Sequence, residues 1–255
     1  MAWRASRHRP RHLRATAGLG TEYVMKKIWW GVRRLVVILA LLLFLYQVWI
    51  FTHIAWWVGH NPSTSAFMDQ RLVAMQHRHP NAELSHQWVP YSKISNDLKR
   101  AIIASEDAKF VDHEGFDWDG IQKAYEKNMR KKKIVAGGST ISQQLAKNLF
   151  LSTKRTPWRK VEEVIITVML ESVMSKQRIF EIYLNVIEWG NGVFGAEAAA
   201  QYYYHVSAAQ LSAPDAARLA AMVPNPRYYD QHREARGMLR KTEIILQRMT
   251  DAEIP

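Results

Sequence analysis

The longest uncharged stretch of the chain, residues 35–58, constrains its organisation more than any other feature. It reads LVVILALLLFLYQVWIFTHIAWWV and holds no Lys, Arg, Asp or Glu. As a helix rising 1.5 Å per residue it would extend over roughly 36 Å, more than the roughly 30 Å hydrocarbon core of a bilayer. Tryptophans stand at both ends, Trp29 and Trp30 before it and Trp56 and Trp57 near its close, as is typical of membrane interfaces. The stretch therefore predicts one transmembrane helix.

The charge before this stretch predicts its orientation. The formal net charge of the chain is +12, yet residues 1–34 alone hold nine Lys or Arg and one Glu. Positive charge favours the cytoplasmic side, so residues 1–34 are predicted to be a basic cytoplasmic segment and the rest to be exported. Because so much of the excess lies there, the high pI does not indicate a nucleic-acid partner. A signal peptide cleaved near Ala66 is the alternative, although its apolar core would normally span about 7–15 residues.

The remainder of the chain divides into two predicted parts. Residues 59–85 are polar, contain two prolines and show no sustained hydrophobic period, which indicates a periplasmic stalk. Residues 86–255 hold successive segments with apolar residues at helical spacing and little strand-like alternation, so we expect a mostly α-helical domain. Ser95 is a predicted helix N-cap, and Thr140 with Gln143 has the capping-box pattern.

Composition limits the chemistry that this domain can use. The chain has no Cys, which excludes disulfides, thiolate metal sites and a cysteine nucleophile. No cluster with metal-ligand spacing is evident, so no cofactor is expected. The sequence leaves open whether a divalent cation takes part.

Glu106 is the first candidate for catalysis. It lies on the same helical stripe as Leu98 and Ile102, so its carboxylate should point into the core or a cleft. A carboxylate in such a place suits general acid–base chemistry, although an ion pair at a helix end explains the position as well. Further candidates follow directly along the chain: Asp107, Phe110 and His113.

A glycine pair marks the second candidate region. Gly137 and Gly138 precede Ser139-Thr140 and a predicted helix. Glycines let the backbone approach a ligand closely, and a helix N-terminus offers free N–H groups to an anion or a sugar. Lys147 lies one turn beyond Gln143 and Gln144 on the same face. An ordinary capped helix after a glycine loop explains this segment alone equally well, just as a surface ion pair explains Arg159 and Glu163.

Taken in order, five segments resemble the signature motifs of the family 51 peptidoglycan glycosyltransferases, over about residues 88–230. The five are Glu106-Asp107-x-x-Phe110-x-x-His113-x-Gly115, Gly137-Gly138-Ser139-Thr140-Ile141-Ser142-Gln143-Gln144, Arg159-Lys160-x-x-Glu163, Arg178-Ile179-x-Glu181-x-Tyr183-Leu184-Asn185, and Gly190-x-Gly192-Val193-x-Gly195-x-Glu197-Ala198-Ala199. Two further segments are similar to the monofunctional biosynthetic branch of Gram-negative bacteria: Phe116-Asp117-Trp118-Asp119 and Val223-Pro224-Asn225-Pro226. Neither Ser-x-x-Lys nor Lys-Thr-Gly occurs, so a transpeptidase domain is not expected.

The resemblance implies a lysozyme-like α-helical domain with a membrane-facing small lobe. It implies an enzyme that elongates β-1,4 glycan chains from lipid II, releasing undecaprenyl diphosphate with inversion at the donor anomeric carbon. Glu106 matches the family's general base, and Glu163 matches its second essential carboxylate, which we expect to orient the cations around the leaving group. The substrate-binding residues that the resemblance implies are Asp107, Phe110, His113, Gly138, Ser139, Thr140, Gln143, Gln144, Lys147, Arg155, Arg159 and Asn185.

Two other functions compete with this hypothesis. A lytic, lysozyme-like enzyme would also use a Glu, but it gains nothing from Lys147 and Arg155 at a pyrophosphate site. A non-catalytic membrane-anchored scaffold has no need of Glu106 on an apolar stripe.

The same hypothesis predicts where the protein works and with what. It should be a single-pass protein of the inner membrane, with a cytoplasmic N-terminus and a periplasmic catalytic domain. Expected partners are lipid II, the growing glycan chain, the membrane, and proteins of cell-wall synthesis or division. Residues 116–133 combine aromatic and basic side chains, which favours a membrane-surface segment. An ordinary helix with a solvated basic end has the same pattern.

Overall fold

A computed structural model describes residues 15–133, 137–154 and 156–255, with side chains from residue 23 onward. Residues 1–14 of the predicted basic cytoplasmic segment lie outside the described part, and so does Arg155. The chain divides into two compact units, with the boundary between Trp49 and Ile50. The helices of the described residues are α1 (Ala15–Trp56), α2 (Ala66–Gln76), α3 (Asn96–Glu106), α4 (Trp118–Lys131), α5 (Ile141–Phe150), α6 (Pro157–Val173), α7 (Lys176–Val186), α8 (Ala196–Tyr204), α9 (Ala213–Met222), α10 (Pro226–Gln231) and α11 (Arg236–Arg248).

α1 contains the predicted transmembrane stretch. Its segment Tyr23–Trp56 is long and apolar enough to cross a membrane, and very little of it is buried against protein. A soluble core helix of that length would bury its apolar side chains. The finding therefore agrees with one N-terminal membrane-spanning helix before a mostly α-helical domain, as the sequence predicts.

Local sequence signals define the helices of the second unit. The Ser95 side chain accepts a hydrogen bond from the backbone N–H of Leu98, which caps α3. Thr140 and Gln143 form the predicted capping box at the start of α5. Pro157 stands in the first turn of α6, where a missing N–H costs nothing. The predicted caps of α3 and α5 are thus confirmed.

The core of this unit lies between α3, α5, α7, α8 and α9. Leu98, Ile102, Leu145 and Phe180 have no exposed surface. α9 packs on both α3 and α11, and α5 packs on both α6 and α7. The end of α3 meets the start of α5 where the backbone N–H of Ile141 donates to Asp107 Oδ2 at 3.0 Å.

A short three-stranded sheet closes one side of the helical core among the described residues. Its strands are β1 (Ser85–His86), β2 (Glu188–Gly190) and β3 (Val193–Phe194), in the order β1-β3-β2. β1 runs parallel to β3 and β2 antiparallel to it. Gly195 follows with φ +82°, and a Cβ there would lie 2.8 Å from the carbonyl oxygen of Asn185. The fifth motif therefore makes a tight turn into the buried small-residue helix α8.

The segment that the sequence assigns to a stalk has structure of its own. Residues 59–85 include α2 and begin β1, and they belong to the same compact unit as the rest of the domain. Met68 is the one fully buried residue of α2, with Leu72 and Met75 partly buried at helical spacing, so its apolar stripe is short and weak. The domain limit at residue 86 remains a prediction.

Two helices of the second unit present apolar side chains to solvent. Trp118, Tyr125 and Met129 of α4 are exposed, and so are Trp158 and the valines of α6 at 161, 164 and 168. The α6 positions recur every three or four residues, so they form one row along the helix. Exposed rows of this kind mark contact surfaces.

Candidate active site

A cleft of about 520 Å³ lies between α2, α5, α6 and the turn that precedes α10. Six of the residues that line it stand in the motifs or next to them: Ser139, Gln144, Lys147, Arg159, Lys160 and Glu163. Phe67, Arg71, Glu188 and Arg227 also line it. Cations predominate among the ionisable side chains, which suits an anionic ligand.

A second, smaller cavity of about 180 Å³ surrounds the end of α3. Glu106 and Asp107 line it, together with Gly138, Ser139 and Thr140 before α5. Ser139 belongs to both cavities. The smaller cavity, which holds Glu106, is therefore next to the cation-lined cleft.

Glu106 is the last residue of α3, and its side chain is one tenth exposed. Its Oε1 accepts a hydrogen bond from Ser105 Oγ at 2.9 Å and lies 3.4 Å from Lys241 Nζ. Its Oε2 accepts from Gln144 Nε2 at 3.1 Å. Both oxygens are thus held while one side of the group faces the small cavity.

Lys241 is a site residue that the sequence analysis missed. It comes from α11 and stands 135 positions after Glu106 along the chain. A signal was present, because Met238 and Ile245 of α11 are buried and position 241 falls on their face of the helix. A lysine on an apolar stripe is the same kind of anomaly that singled out Glu106.

Glu163 projects from α6 toward the larger cleft and is almost fully buried. Arg159 Nη1 lies 3.1 Å from its Oε2, and Lys160 Nζ contacts its Oε1. The i,i+4 ion pair of Arg159 and Glu163 is therefore not an ordinary surface salt bridge, because its carboxylate is buried. Two cations beside one carboxylate leave this wall of the cleft net positive.

Lys147 is another cation of the same cleft. Burial lowers the pKa of its ammonium below the usual 10.5, and the nearby Glu163 carboxylate partly opposes that effect. Nζ also lies 5.9 Å from the centre of the Phe67 ring. A cation in such a dry position interacts more strongly with an anion than one in water does.

Four predicted binding residues hold the frame of the site together. Asp107 Oδ2 accepts from the backbone N–H of Ile141 at 3.0 Å, and its Oδ1 lies 2.9 Å from His113 Nε2. Thr140 Oγ1 donates to the carbonyl oxygen of Gly115 at 2.7 Å, and Gln143 completes the capping box. Asp107 and Thr140 also line the smaller cavity. Together these contacts fix the first turn of α5 against the end of α3.

Two other predicted binding residues lie away from both cavities. Phe110 has no exposed surface and packs with its ring centre 5.5 Å from that of Phe180. Asn185 is also fully buried. Its side chain accepts from the backbone N–H of Val89 and donates to its carbonyl oxygen. The structure gives these two residues packing and bracing contacts, and Arg155 lies outside the described part of the chain.

Gln144 connects the base candidate to a buried tyrosine. The Tyr183 hydroxyl donates to Gln144 Oε1 at 3.0 Å. The sequence places Tyr183 on a core stripe, and the residue is indeed fully buried. Its periodicity gave no sign that the hydroxyl reaches the site. Among the described residues, no group of three or more His, Asp or Glu is arranged to hold a metal ion.

Comparison with known proteins agrees with the motifs. The transglycosylase family model matches residues 72–250. A protein of Methylobacillus flagellatus named biosynthetic peptidoglycan transglycosylase is 69% identical over 232 residues, which cover 91% of this chain and all of that protein. Proteins of the same name from Chromobacterium violaceum and Laribacter hongkongensis are 67% and 66% identical, over 83% and 89% of this chain and 92% and 99% of their own lengths. The chain belongs to the transglycosylase family.

Proposed function

We propose that the protein is a peptidoglycan glycosyltransferase that elongates β-1,4 glycan strands from lipid II, with Glu106 as general base. One observation carries the proposal. A buried carboxylate stands in a small cavity that adjoins, through Ser139, a cleft lined by Lys147, Arg159 and Lys160. Base and leaving-group cations are thus on adjacent sites, as a glycosyl transfer from a diphosphate requires.

The acceptor sugar binds in the cavity of Glu106 in this proposal. Its hydroxyl has a high pKa and needs a base at neutral pH. Glu106 takes the hydroxyl proton as the oxygen attacks the donor anomeric carbon. The new glycosidic bond forms as the bond from that carbon to the phosphate oxygen breaks, and attack opposite the leaving group inverts the centre.

The leaving group departs into the larger cleft as undecaprenyl diphosphate. A diphosphate needs its developing charge stabilised rather than a proton, and fixed cations in a partly dry site supply that stabilisation. Lys147 and Arg159 serve here, and Arg155 is assigned by its match to the motif pattern. Glu163 holds Arg159 and Lys160 in place, so that its role is to orient the cations.

This cluster of cations also favours synthesis over cleavage of glycan. A hydrolase must protonate an alkoxide leaving group, so its catalytic carboxylic acid must carry a proton. Neighbouring cations stabilise the ionised carboxylate and thus disfavour the protonated acid. A scaffold would require neither the cations nor the base. The remaining predicted binding residues, Gly138, Ser139 and Gln144, line the two cavities and are assigned to sugar and phosphate oxygens.

The membrane anchor fits the proposed substrate. Lipid II stays in the bilayer by its polyprenyl tail, so an anchored enzyme meets it at the surface. We assign residues 35–58 to the inner membrane, residues 1–34 to the cytoplasm, and the catalytic domain to the periplasm. The exposed apolar rows on α4 and α6 support contact of that domain with lipid.

Glu106→Gln tests the assignment of the base. The amide keeps the shape of the side chain but cannot take a proton. General base catalysis contributes about 10²–10⁴-fold, so polymer formation from labelled lipid II should fall at least a hundredfold while lipid II still binds. Glu114→Gln makes the same chemical change at an exposed position nearby and should keep the rate.

The experiment separates the competing outcomes. Polymer from Glu106→Gln at more than about a tenth of the wild-type rate would place the base elsewhere. Shortened glycan instead of polymer from the wild-type protein would indicate a lytic enzyme, and an unchanged substrate would indicate a scaffold.

A further inference from the structure

The side-chain amide of Gln144 bridges a hydrogen-bond acceptor and a hydrogen-bond donor. Its Nε2 donates to Glu106 Oε2 at 3.1 Å, and its Oε1 accepts from the Tyr183 hydroxyl at 3.0 Å. Tyr183 comes from the middle of α7 and has no exposed surface. A polar chain therefore runs from the core to the carboxylate.

The tyrosine hydroxyl fixes which end of the amide faces the carboxylate. An amide can rotate by half a turn and exchange its oxygen and nitrogen. Burial raises the pKa of Tyr183 well above 10, and the charges of Glu106 and Asp107 raise it further. The hydroxyl therefore stays protonated, and its buried proton needs an acceptor, which the amide oxygen supplies.

The opposite orientation would place two acceptors against each other. The amide oxygen would then face Glu106 Oε2, and the NH₂ group would face the hydroxyl oxygen of Tyr183. The carboxylate would lose a charge-assisted hydrogen bond, which is stronger than one between neutral groups. The carboxylate and the tyrosine hydroxyl thus select the same orientation, and loss of the hydroxyl would leave the amide held at the Glu106 end alone.

We propose that Tyr183 is a positioning residue for the base. It acts through the amide of Gln144, which holds the Glu106 carboxylate in the orientation that takes the proton from the hydroxyl of the acceptor sugar. The inference rests on the proposed role of Glu106. Tyr183 touches neither reacting group, so its effect should appear in turnover rather than in substrate binding. An error of an ångström in the placement of a reacting group can cost about a hundredfold in rate.

A double-mutant cycle between Tyr183→Phe and Gln144→Ala tests the proposal. The phenylalanine keeps the ring and removes only the hydroxyl. We expect it to lower kcat for lipid II polymerisation about tenfold with KM nearly unchanged. In the Gln144→Ala background the same change should lower kcat no further, because no amide remains to orient.

Tyr203→Phe is the matched control. Tyr203 is also buried, and its hydroxyl lies 2.9 Å from Asp230 Oδ1 and 3.1 Å from the carbonyl oxygen of Trp189. Removing that hydroxyl tests the cost of losing any buried tyrosine hydrogen bond. Whatever effect it has on kcat should be the same in the wild-type and the Gln144→Ala backgrounds.

Each outcome decides the question. Equal kcat losses from Tyr183→Phe in the two backgrounds, or a loss confined to KM, would overturn the positioning role. If Tyr183→Phe does not fold, Gln144→Ala decides instead, because it removes the amide through which Tyr183 acts and should lower kcat about as much as the phenylalanine would. Wild-type kcat in Gln144→Ala would overturn the proposal. Activity retained in Glu106→Gln would refute the base itself, which is a separate result.

Discussion

At the scale of single residues, the charge of Lys147 depends on how deeply the side chain is buried. Its pKa lies below the usual 10.5 because burial disfavours the ammonium form. In the proposed mechanism, the protonated form is the one that stabilises the leaving diphosphate. The wild-type enzyme should therefore lose this charge, and the rate that depends on it, at a lower alkaline pH than an ordinary lysine would.

Lys147→Arg and Lys147→Met test that dependence. Arginine stays protonated across the accessible pH range, so its variant should show no rate decrease where the wild-type rate falls on the alkaline side. The methionine variant lacks the charge and should lose about a hundredfold or more in rate at neutral pH. Its thermal stability should be equal or higher, since the cost of burying a charge is removed.

The measurements are polymerisation rate against pH and a thermal melt for each variant. The same alkaline decrease in the arginine variant and the wild type would assign that decrease to another group. A methionine variant with a normal rate would remove Lys147 from the reaction.

A local pattern can single out a residue in the sequence. Glu106 stands out because a carboxylate interrupts an apolar stripe, and its catalytic role stays a prediction. Thr140 stands out because its cap pattern is local, and that cap is confirmed. The partnership of Glu106 with Lys241 depends on how α11 packs against α3, which no local pattern encodes. The two buried residues Phe110 and Asn185 look like site residues because they stand in motifs, but the structure gives them packing and bracing contacts.

At the scale of elements, α2 places the loop that follows α5. Gln70 of α2 donates to the carbonyl oxygen of Leu151 at 3.2 Å and accepts from the backbone N–H of Thr153 at 3.0 Å. Thr153 and its neighbour Ser152 line the larger cleft. A helix outside the motifs thus fixes one wall of the site.

Gln70→Ala should loosen that wall without damaging the core. We expect KM for lipid II to rise several-fold, with a smaller change in kcat, because both backbone contacts of the loop are lost. Hydrogen exchange of residues 151–153 should become faster. The control is Gln76→Ala on the same helix, whose side chain donates to Ala82 instead. Unchanged exchange in Gln70→Ala would show that other contacts hold the loop.

α2 also shows why a short element is missed. A sequence pattern detects a helix by the apolar stripe that it buries. Met68, Leu72 and Met75 stand at helical spacing in α2, but the helix has eleven residues and only Met68 is fully buried. Polar contacts add to the docking of the helix, among them the pair of Arg71 with Glu188 at 2.6 Å. So short a stripe among polar residues does not stand out, and the segment therefore resembles a stalk.

At the scale of the whole molecule, the uncharged stretch and the basic segment before it predict membrane topology. We expect the helix to be retained and the domain after it to be periplasmic. Protease added to spheroplasts should digest the catalytic domain, while a cytoplasmic marker protein stays intact. Mass spectrometry of the membrane-bound protein should find the anchor still attached. A protected domain, or a mature N-terminus near Ala66, would contradict this topology.

The fold class was predictable at this scale, because helical spacing recurs throughout residues 86–255 and the five motifs have a fixed order. The short sheet was not, since its strands are two or three residues long. Alternation cannot be recognised over so few residues. The strands β1 and β3 also pair residues about a hundred positions apart, Ser85 with Val193 and His86 with Phe194, which no local pattern indicates.

The exposed row on α6 has a consequence for how the enzyme finds its substrate. Trp158 and Val161 lie within five positions of Arg159 and Glu163 on the same helix. If that row rests in lipid, enzyme and substrate share a plane, and the search for each new subunit becomes two-dimensional. The encounter rate then depends on molecules per unit area rather than per unit volume. The rate of strand synthesis then rises and falls with the number of substrate molecules per unit area of membrane.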